Sequence, residues 1–208
     1  MMLVGLLLST SLFQSCLDDD GDDLAYPTAL VTVRNTPNQT FYLQLDRETT
    51  LLPMNITSSP FGGKEVRALV NYDEISTTQD IRPFDKAIRI NWIDSILTKP
   101  TVPNMFQQND EIYGKDPVEI VKDWVTIAED GYLTLRFRTY WGPSMRSHTV
   151  NLLVNNKGAN PYEIEFRHNA NDDGLSVNNV GKLGDALVAF NLKDLPDTHG
   201  KTVKLKLK

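Results

Sequence analysis

From residue 41 onward, apolar and polar residues alternate with a period of two in one short run after another. Phe41, Leu43 and Leu45 take one side of the first run, and Tyr42, Gln44 and Asp46 take the other. Val66, Ala68 and Val70 alternate through 64–72, and Ile88, Ile90 and Trp92 oppose Arg89, Asn91 and Ile93. Farther along, Leu133, Leu135 and Phe137 oppose Thr134, Arg136 and Arg138. Val150, Leu152 and Val154 alternate through 148–155, with Leu153 out of phase. Tyr162, Ile164 and Phe166 oppose Glu163, Glu165 and Arg167, and Ala186, Val188, Phe190 and Leu192 form a further run. Successive strand side chains point to opposite faces, so each run predicts a half-buried β-strand. A last run, Val203, Leu205 and Leu207, carries Lys204, Lys206 and Lys208 on its outer side. That charge pattern protects an exposed strand from unwanted pairing.

Residues 116–120 read two ways. Asp116, Pro117 and Glu119 suit a helix N-cap, first position and capping box, or they precede a strand with Val118 and Ile120 facing inward. No long amphipathic helix follows, which favours the strand. The stretch 98–116 holds Pro100, Pro103 and Gly114 and shows little periodicity, so it reads as a linker. It separates residues 29–97, whose four or five strands suit a small barrel, from residues 117–208, whose six or seven suit a β-sandwich. The expected fold class is all-β.

The N-terminus follows different rules. Residues 1–13 are apolar and uncharged. As a helix they would rise about 20 Å, short of the ~30 Å hydrocarbon core, which fits a signal-peptide apolar region rather than a membrane span. The run ends Phe13, Gln14, Ser15, Cys16, a small residue directly before cysteine, which resembles a bacterial lipobox. The expectation is a signal peptide over 1–15 and a lipidated Cys16. Cys16 is also the sole cysteine of the 208 residues, so there is neither an intramolecular disulfide nor a cysteine-based metal cluster. A tether over 16–28 follows, and its Asp18, Asp19 and Asp20 resemble the acidic export signal of surface-exposed lipoproteins.

Charge sharpens this division. The net charge is −6. Asp18, Asp19, Asp20, Asp22 and Asp23 carry five of those charges, leaving −1 for the rest of the chain. A body so nearly neutral lacks the basic footprint that binding a phosphate backbone requires, which argues against nucleic acid as a partner.

Few residues suggest chemistry. His148 and His168 fall in runs expected to share a sheet, but two histidines without a third ligand fit packed strand residues better than a metal site. Residues 169–174 partly mimic a calcium loop, yet Asn stands first and Val180 twelfth, so they read as a turn. No nucleophile, phosphate-loop or dinucleotide fingerprint occurs, and the expectation is a non-enzyme without cofactor or metal. Trp92 and Trp124 are assigned to core packing within strands. Tyr140 and Trp141, beside Gly142 and Pro143 at a strand end, are the candidate ligand contacts.

Taken in order, Phe41 to Asp46, Glu65 to Tyr72, Ile88 to Ile93, Asp116 to Ile120, Tyr132 to Phe137, His148 to Leu152 and Glu165 to Asn169 resemble the NigD-like lipoproteins of Bacteroidetes. The resemblance covers almost the whole chain after the tether. It implies an OB-like barrel followed by a β-sandwich and an interaction role, with bacteriocin immunity as the family's namesake proposal, while the lipobox and the acidic run give the expectation of an outer-membrane lipid anchor exposed at the cell surface. It supplies no catalytic or binding residues. The expected partners are the membrane, through the lipid, and a protein toxin or, alternatively, a surface glycan or peptide.

Overall fold

The computed structural model describes residues 26–38, 40–144, 146–155, 160–173, 181–197 and 203–207. Cys16, Asp18, Asp19 and Asp20 lie outside the described residues. Strands β1 (Ala29–Asn35), β2 (Phe41–Gln44), β3 (Thr50–Pro53), β4 (Val66–Glu74) and β5 (Lys86–Ser95) close into a barrel in the order β1-β2-β3-β5-β4. All pairings are antiparallel except that of β3 with β5. The inward residues of the alternating runs, among them Val33, Phe41, Leu43, Ala68, Val70, Ile88 and Ile90, make its core. A register shift at Asn71/Tyr72 marks an irregularity between β4 and β5. Irregularities of that kind let a small sheet bend to closure.

The second unit is a sandwich. One sheet runs β6 (Leu97–Pro100), β13 (Lys182–Asn191), β10 (Tyr132–Trp141), β8 (Glu119–Val121), with β9 (Ile127–Glu129) also paired to β10. The other runs β14 (Lys204–Leu207), β12 (Glu163–Asn169), β11 (Thr149–Val154), β7 (Val102–Pro103). Leu135, Phe137, Leu152, Ile164, Phe166, Val188 and Phe190 fill the space between them. Phe166 contacts Phe137 and Phe190 at ring centroids of 5.8 and 6.0 Å. β14 lies at a sheet edge, and its Lys206 pairs with Glu163 of β12. That agrees with the lysines expected on an exposed strand.

Strand β1 is buried on both faces because the sandwich covers one of them. There Leu30, Leu69, Ile96, Tyr132, Leu187 and Ala189 pack together. Arg67 sits fully buried at this junction, donating to Thr32 Oγ1 at 2.9 Å and to Glu129 Oε2 at 3.3 Å. Loss of water pulls its pKa down, against the opposing pull of Glu129. The Tyr132 hydroxyl donates to Glu65 at 2.7 Å, and burial together with that carboxylate pushes its pKa up to about 12. Arg34 pairs with Asp130 across the same junction at 2.9 Å. Apolar area glues the two units, while these polar links fix how they meet.

The stretch 98–116, expected to be a linker, is instead part of the sandwich. β6 adds in parallel to β13 and β7 in parallel to β11. A 3₁₀ turn (Phe106–Gln108) and a short helix α1 (Asn109–Tyr113) follow, and α1 lies against β11 and β12. The side chain of Arg167 on β12 is buried and donates to Asp110 at 2.6 Å and to the Gly114 carbonyl at 3.0 Å, and it pairs with Glu165. Gly114 has φ of 80°, and a Cβ there would come 2.6 Å from the His168 carbonyl oxygen. The close passage over β12 therefore requires glycine. Leu153, out of phase in the sequence, is buried on this second sheet as well. The 116–120 ambiguity resolves as strand β8, with Val118 and Ile120 packed against the sandwich core.

Candidate functional site

The two aromatic residues singled out at the end of β10 part company. Trp141 points to the core side, stacks on His148 with ring centroids 4.2 Å apart and 22° between planes, and lies against Gly184 of β13. Tyr140 faces outward, half exposed, opposite the exposed Leu183 of β13. The tryptophans assigned to the core divide too. Trp92 is half-buried in β5, but Trp124 is not in a strand and its exposure is 54%. It tips the turn between β8 and β9. Asp123 makes that turn, its Oδ1 accepting from the Val125 and Thr126 amides, each at 3.2 Å. An aspartate side chain commonly closes a turn in this way.

Trp124 rims a groove of about 380 Å³ on the outer face of the β6-β13-β10-β8 sheet, where that sheet emerges from beneath the barrel. Tyr26, 71% exposed, and Leu69 come from the barrel side, and Leu187 lies on β13. Arg136 and Asp185 also line it. Arg136 pairs with Asp123 at 2.8 Å and Asp185 at 2.7 Å, and Arg138 pairs with Asp185 at 2.6 Å. Hydrogen bonding from Arg138 holds the Asp185 carboxyl below its usual range. The groove therefore combines apolar walls with charges already matched to one another. Arg136, Arg138 and Tyr140 are alternate residues of one strand, so they share its outer face. At ~3.3 Å per residue, that face continues about 13 Å from the groove to Tyr140 and Leu183.

On the core side of the sheet end lies a second polar cluster. His148 Nδ1 and His168 Nε2 are 2.9 Å apart, and His168 Nδ1 is 3.3 Å from the Asp116 carbonyl oxygen. His148 Nε2 is 3.4 Å from Asp173 Oδ2, and both those side chains are at most 1% exposed. Asp173 also accepts from the Gly142 amide at 2.9 Å, from the Ser144 amide at 3.1 Å and from the Ser144 hydroxyl. These donors, the Ser144 hydroxyl first and with burial opposing, hold its carboxyl below the usual range. Burial, and next the neighbouring His148, pull His168 down from the usual histidine range. The Ser144 hydroxyl is directed at the carboxylate and not at an imidazole, so the order of a nucleophile, its base and an orienting acid is not met. Residues 169–173 do turn, with Asn171 and Asp172 at φ of 52° and 60°. Among the described residues, no group of three or more His, Cys, Asp or Glu is arranged to hold a metal ion.

Sequence reasoning places both histidines in the right neighbourhood and passes over Asp173, which reaches them from the turn that resembles a calcium loop. It also assigns Trp124 to the core, where the structure exposes it, and passes over Tyr26. For Trp124 the sequence does contain a signal: Asp123 followed by Thr126, a turn-forming pair ahead of β9.

A closed five-stranded barrel joined to a two-sheet sandwich defines the class of molecule, and comparison with known proteins agrees. Residues 30–96 match the NigD-like N-terminal OB domain and residues 101–208 the NigD-like C-terminal beta sandwich domain. The chain belongs to the NigD-like family. It is similar to the crystal structure of a protein described as toxin-related from Parabacteroides distasonis, at 38% identity and a TM-score of 0.67, covering 86% of this chain and 84% of that one. A protein of unknown function from Bacteroides vulgatus is 25% identical with a TM-score of 0.63, over 86% of this chain and 82% of that one. A NigD-like immunity protein from Bacteroides caccae shares the fold at 19% identity and a TM-score of 0.55, over 88% and 86% of the two chains. No curated protein matches the chain.

Proposed function

We propose that this is a non-catalytic interaction protein of the bacterial cell envelope, held at the outer membrane by lipid on Cys16 and exposed at the cell surface. It engages a protein toxin through the outer face of the sandwich, an immunity role like that named for the relative from Bacteroides caccae. The observation that supports this most is the exposure of Tyr26 and Trp124 over a floor of mutually paired charges. Large aromatics that a partner can bury are the usual energetic centre of a protein contact. Tyr26 also lies ten residues after Cys16. An extended chain of that length keeps the groove rim within roughly 35 Å of the anchor. A partner approaching the membrane would meet it there.

The test is a protection assay. Cells displaying the native protein should survive a bacteriocin that kills cells without it, and Trp124→Ala and Cys16→Ser should each lose protection. Full protection by Trp124→Ala at equal surface level would sink the proposal. A second reading, capture of a surface glycan or peptide, is favoured by the groove's volume, which is that of a small-ligand site. Direct binding of an oligosaccharide or a short peptide, lost in Trp124→Ala and unaccompanied by toxin protection, would favour it.

A further inference from the structure

The far side of the sandwich carries a cluster that the groove does not use. Phe166 of β12 faces the sandwich core, so Arg167 beside it faces away, and there it holds Asp110 and the Gly114 carbonyl. The segment ahead of Gly114 therefore lies on the opposite side of the sandwich from the groove that Trp124 rims. Three of the ten large apolar side chains exposed among the described residues fall within 105–112: Met105, Phe106 and Ile112, with Phe106 exposed by 60%. Single exposed apolar residues are ordinary on a protein surface, whereas a group of them marks a contact. Phe106 also has φ of 54°, a left-handed backbone that bulky side chains rarely adopt. Two asparagine side chains hold it there. Asn104 Oδ1 accepts from the Phe106 amide at 2.8 Å and from Asn109 Nδ2 at 2.9 Å, and Asn109 Oδ1 accepts from the Met105 amide at 2.8 Å. Asn109 is itself buried. The chain thus accepts backbone strain to hold an aromatic ring in water at a fixed position. A partner that buries that ring has no loop to order first.

We propose that residues 105–112 form a second contact surface, whose partner is a protein presenting an apolar socket bordered by arginine or lysine. Charge decides between the possible occupants. Asp110 and Glu111 sit among the apolar residues, and between Lys99 and Lys115 the chain has no Lys or Arg. Asp110 is engaged by Arg167 and Lys115, but the exposed Glu111 belongs to neither pair. Segments that settle on a lipid surface carry basic residues beside their apolar side, the reverse of this arrangement. A second copy docking symmetrically would set the same surface against itself and bring like charges together. A different protein, with basic groups around an apolar socket, matches both the apolar side chains and the carboxylate. Phe and Met on one side and Arg on the other are residues enriched in such contacts. Occupancy here leaves the Trp124 groove uncovered.

The test uses the full-length protein on intact cells, with a photoreactive phenylalanine derivative in place of the exposed Gln107. Illumination should join it to one other protein. Capture alone is not support, so two substitutions must act on it. Phe106→Asn removes the ring, and asparagine tolerates the left-handed backbone. It should cut the adduct yield by at least roughly tenfold while Tm stays level or rises. Glu111→Lys should cut the yield several-fold with Tm within about 2 °C of native. Adducts formed only with lipid or with a second copy would overturn the proposal, as would no adduct at all, or one indifferent to either substitution. A large fall in Tm for Phe106→Asn, or its failure to fold, would also overturn it, because the ring would then be holding the fold and not facing a partner. Neither Trp124 nor a toxin enters the readout, so this surface and the groove succeed or fail separately.

Discussion

Strand β10 and its end carry a polar cluster on each face, and the two are built on opposite terms. On the outer face, Arg136, Arg138, Asp123 and Asp185 form a ladder of ion pairs whose side chains stay in contact with water. On the core side, His148, His168 and Asp173 make a chain closed off from it. Water screens the first and replaces its partners when one is lost, so those pairs contribute little to folding. The second has no such substitute, and each donor and acceptor must be matched within the protein. The outer cluster is accordingly free to serve binding, whereas the inner one is committed to shape. Arg67 extends the contrast, being a buried charge that joins barrel to sandwich.

The comparison would break first at Arg67. Arg67→Ala leaves Glu129 uncompensated and opens a gap at the junction, and should cost about 3 kcal/mol in denaturant unfolding. Arg67→Met, which fills the same space without a charge, should cost much less. A loss under about 1 kcal/mol for the alanine variant, the range of a solvated pair, would mean that water reaches the site freely. Next is Gly142→Ala, whose Cβ would collide with the Asp173 backbone. A loss of about 2 kcal/mol is expected for such overpacking, with the neighbouring backbone more open to protease.

The pH dependence of stability sharpens the contrast further. His168 is depressed in the folded state. Below about pH 6.5 the unfolded chain therefore takes up a proton that the folded one refuses, and stability falls as pH falls. Asp173 is also depressed. Its contribution, present above the ordinary carboxylate range of about pH 4, is lost on further acidification through its folded value. The smallest stability effect belongs to the outer ladder: Arg138→Ala should move Tm by no more than about 2 °C. A drop as large as that of Arg67→Ala would erase the distinction between the two clusters.

Much of this fold is legible in the alternation of single strands. Phe41 and Leu43, or Leu135 and Phe137, announce both strand and inward face. What the pattern does not carry is the cover over a face. Arg67 and Thr32 look outward in the sequence and are buried because the sandwich rests on them. The pieces in 98–116 are illegible for a related reason: β6 and β7 span 4 and 2 residues, and each pairs in parallel with a strand far along the chain. Trp124 and Trp141 exchange their expected roles on the same grounds. A tight turn made by Asp123 lifts one out of the core, and a histidine ahead of the next strand receives the other. Asp173 reaches its partners through backbone turning that no periodicity encodes.

The most direct test of the account compares native protein, Trp124→Ala and Gly142→Ala at matched surface levels, reading Tm and protection from bacteriocin on the same preparations. Trp124→Ala should keep Tm within about 2 °C and lose at least roughly tenfold in partner affinity, an effect typical of an exposed aromatic anchor. Gly142→Ala should lower Tm by several degrees while its groove still binds. Unchanged protection in Trp124→Ala, with Tm also unchanged, would contradict the assignment of the outer face as the site of interaction.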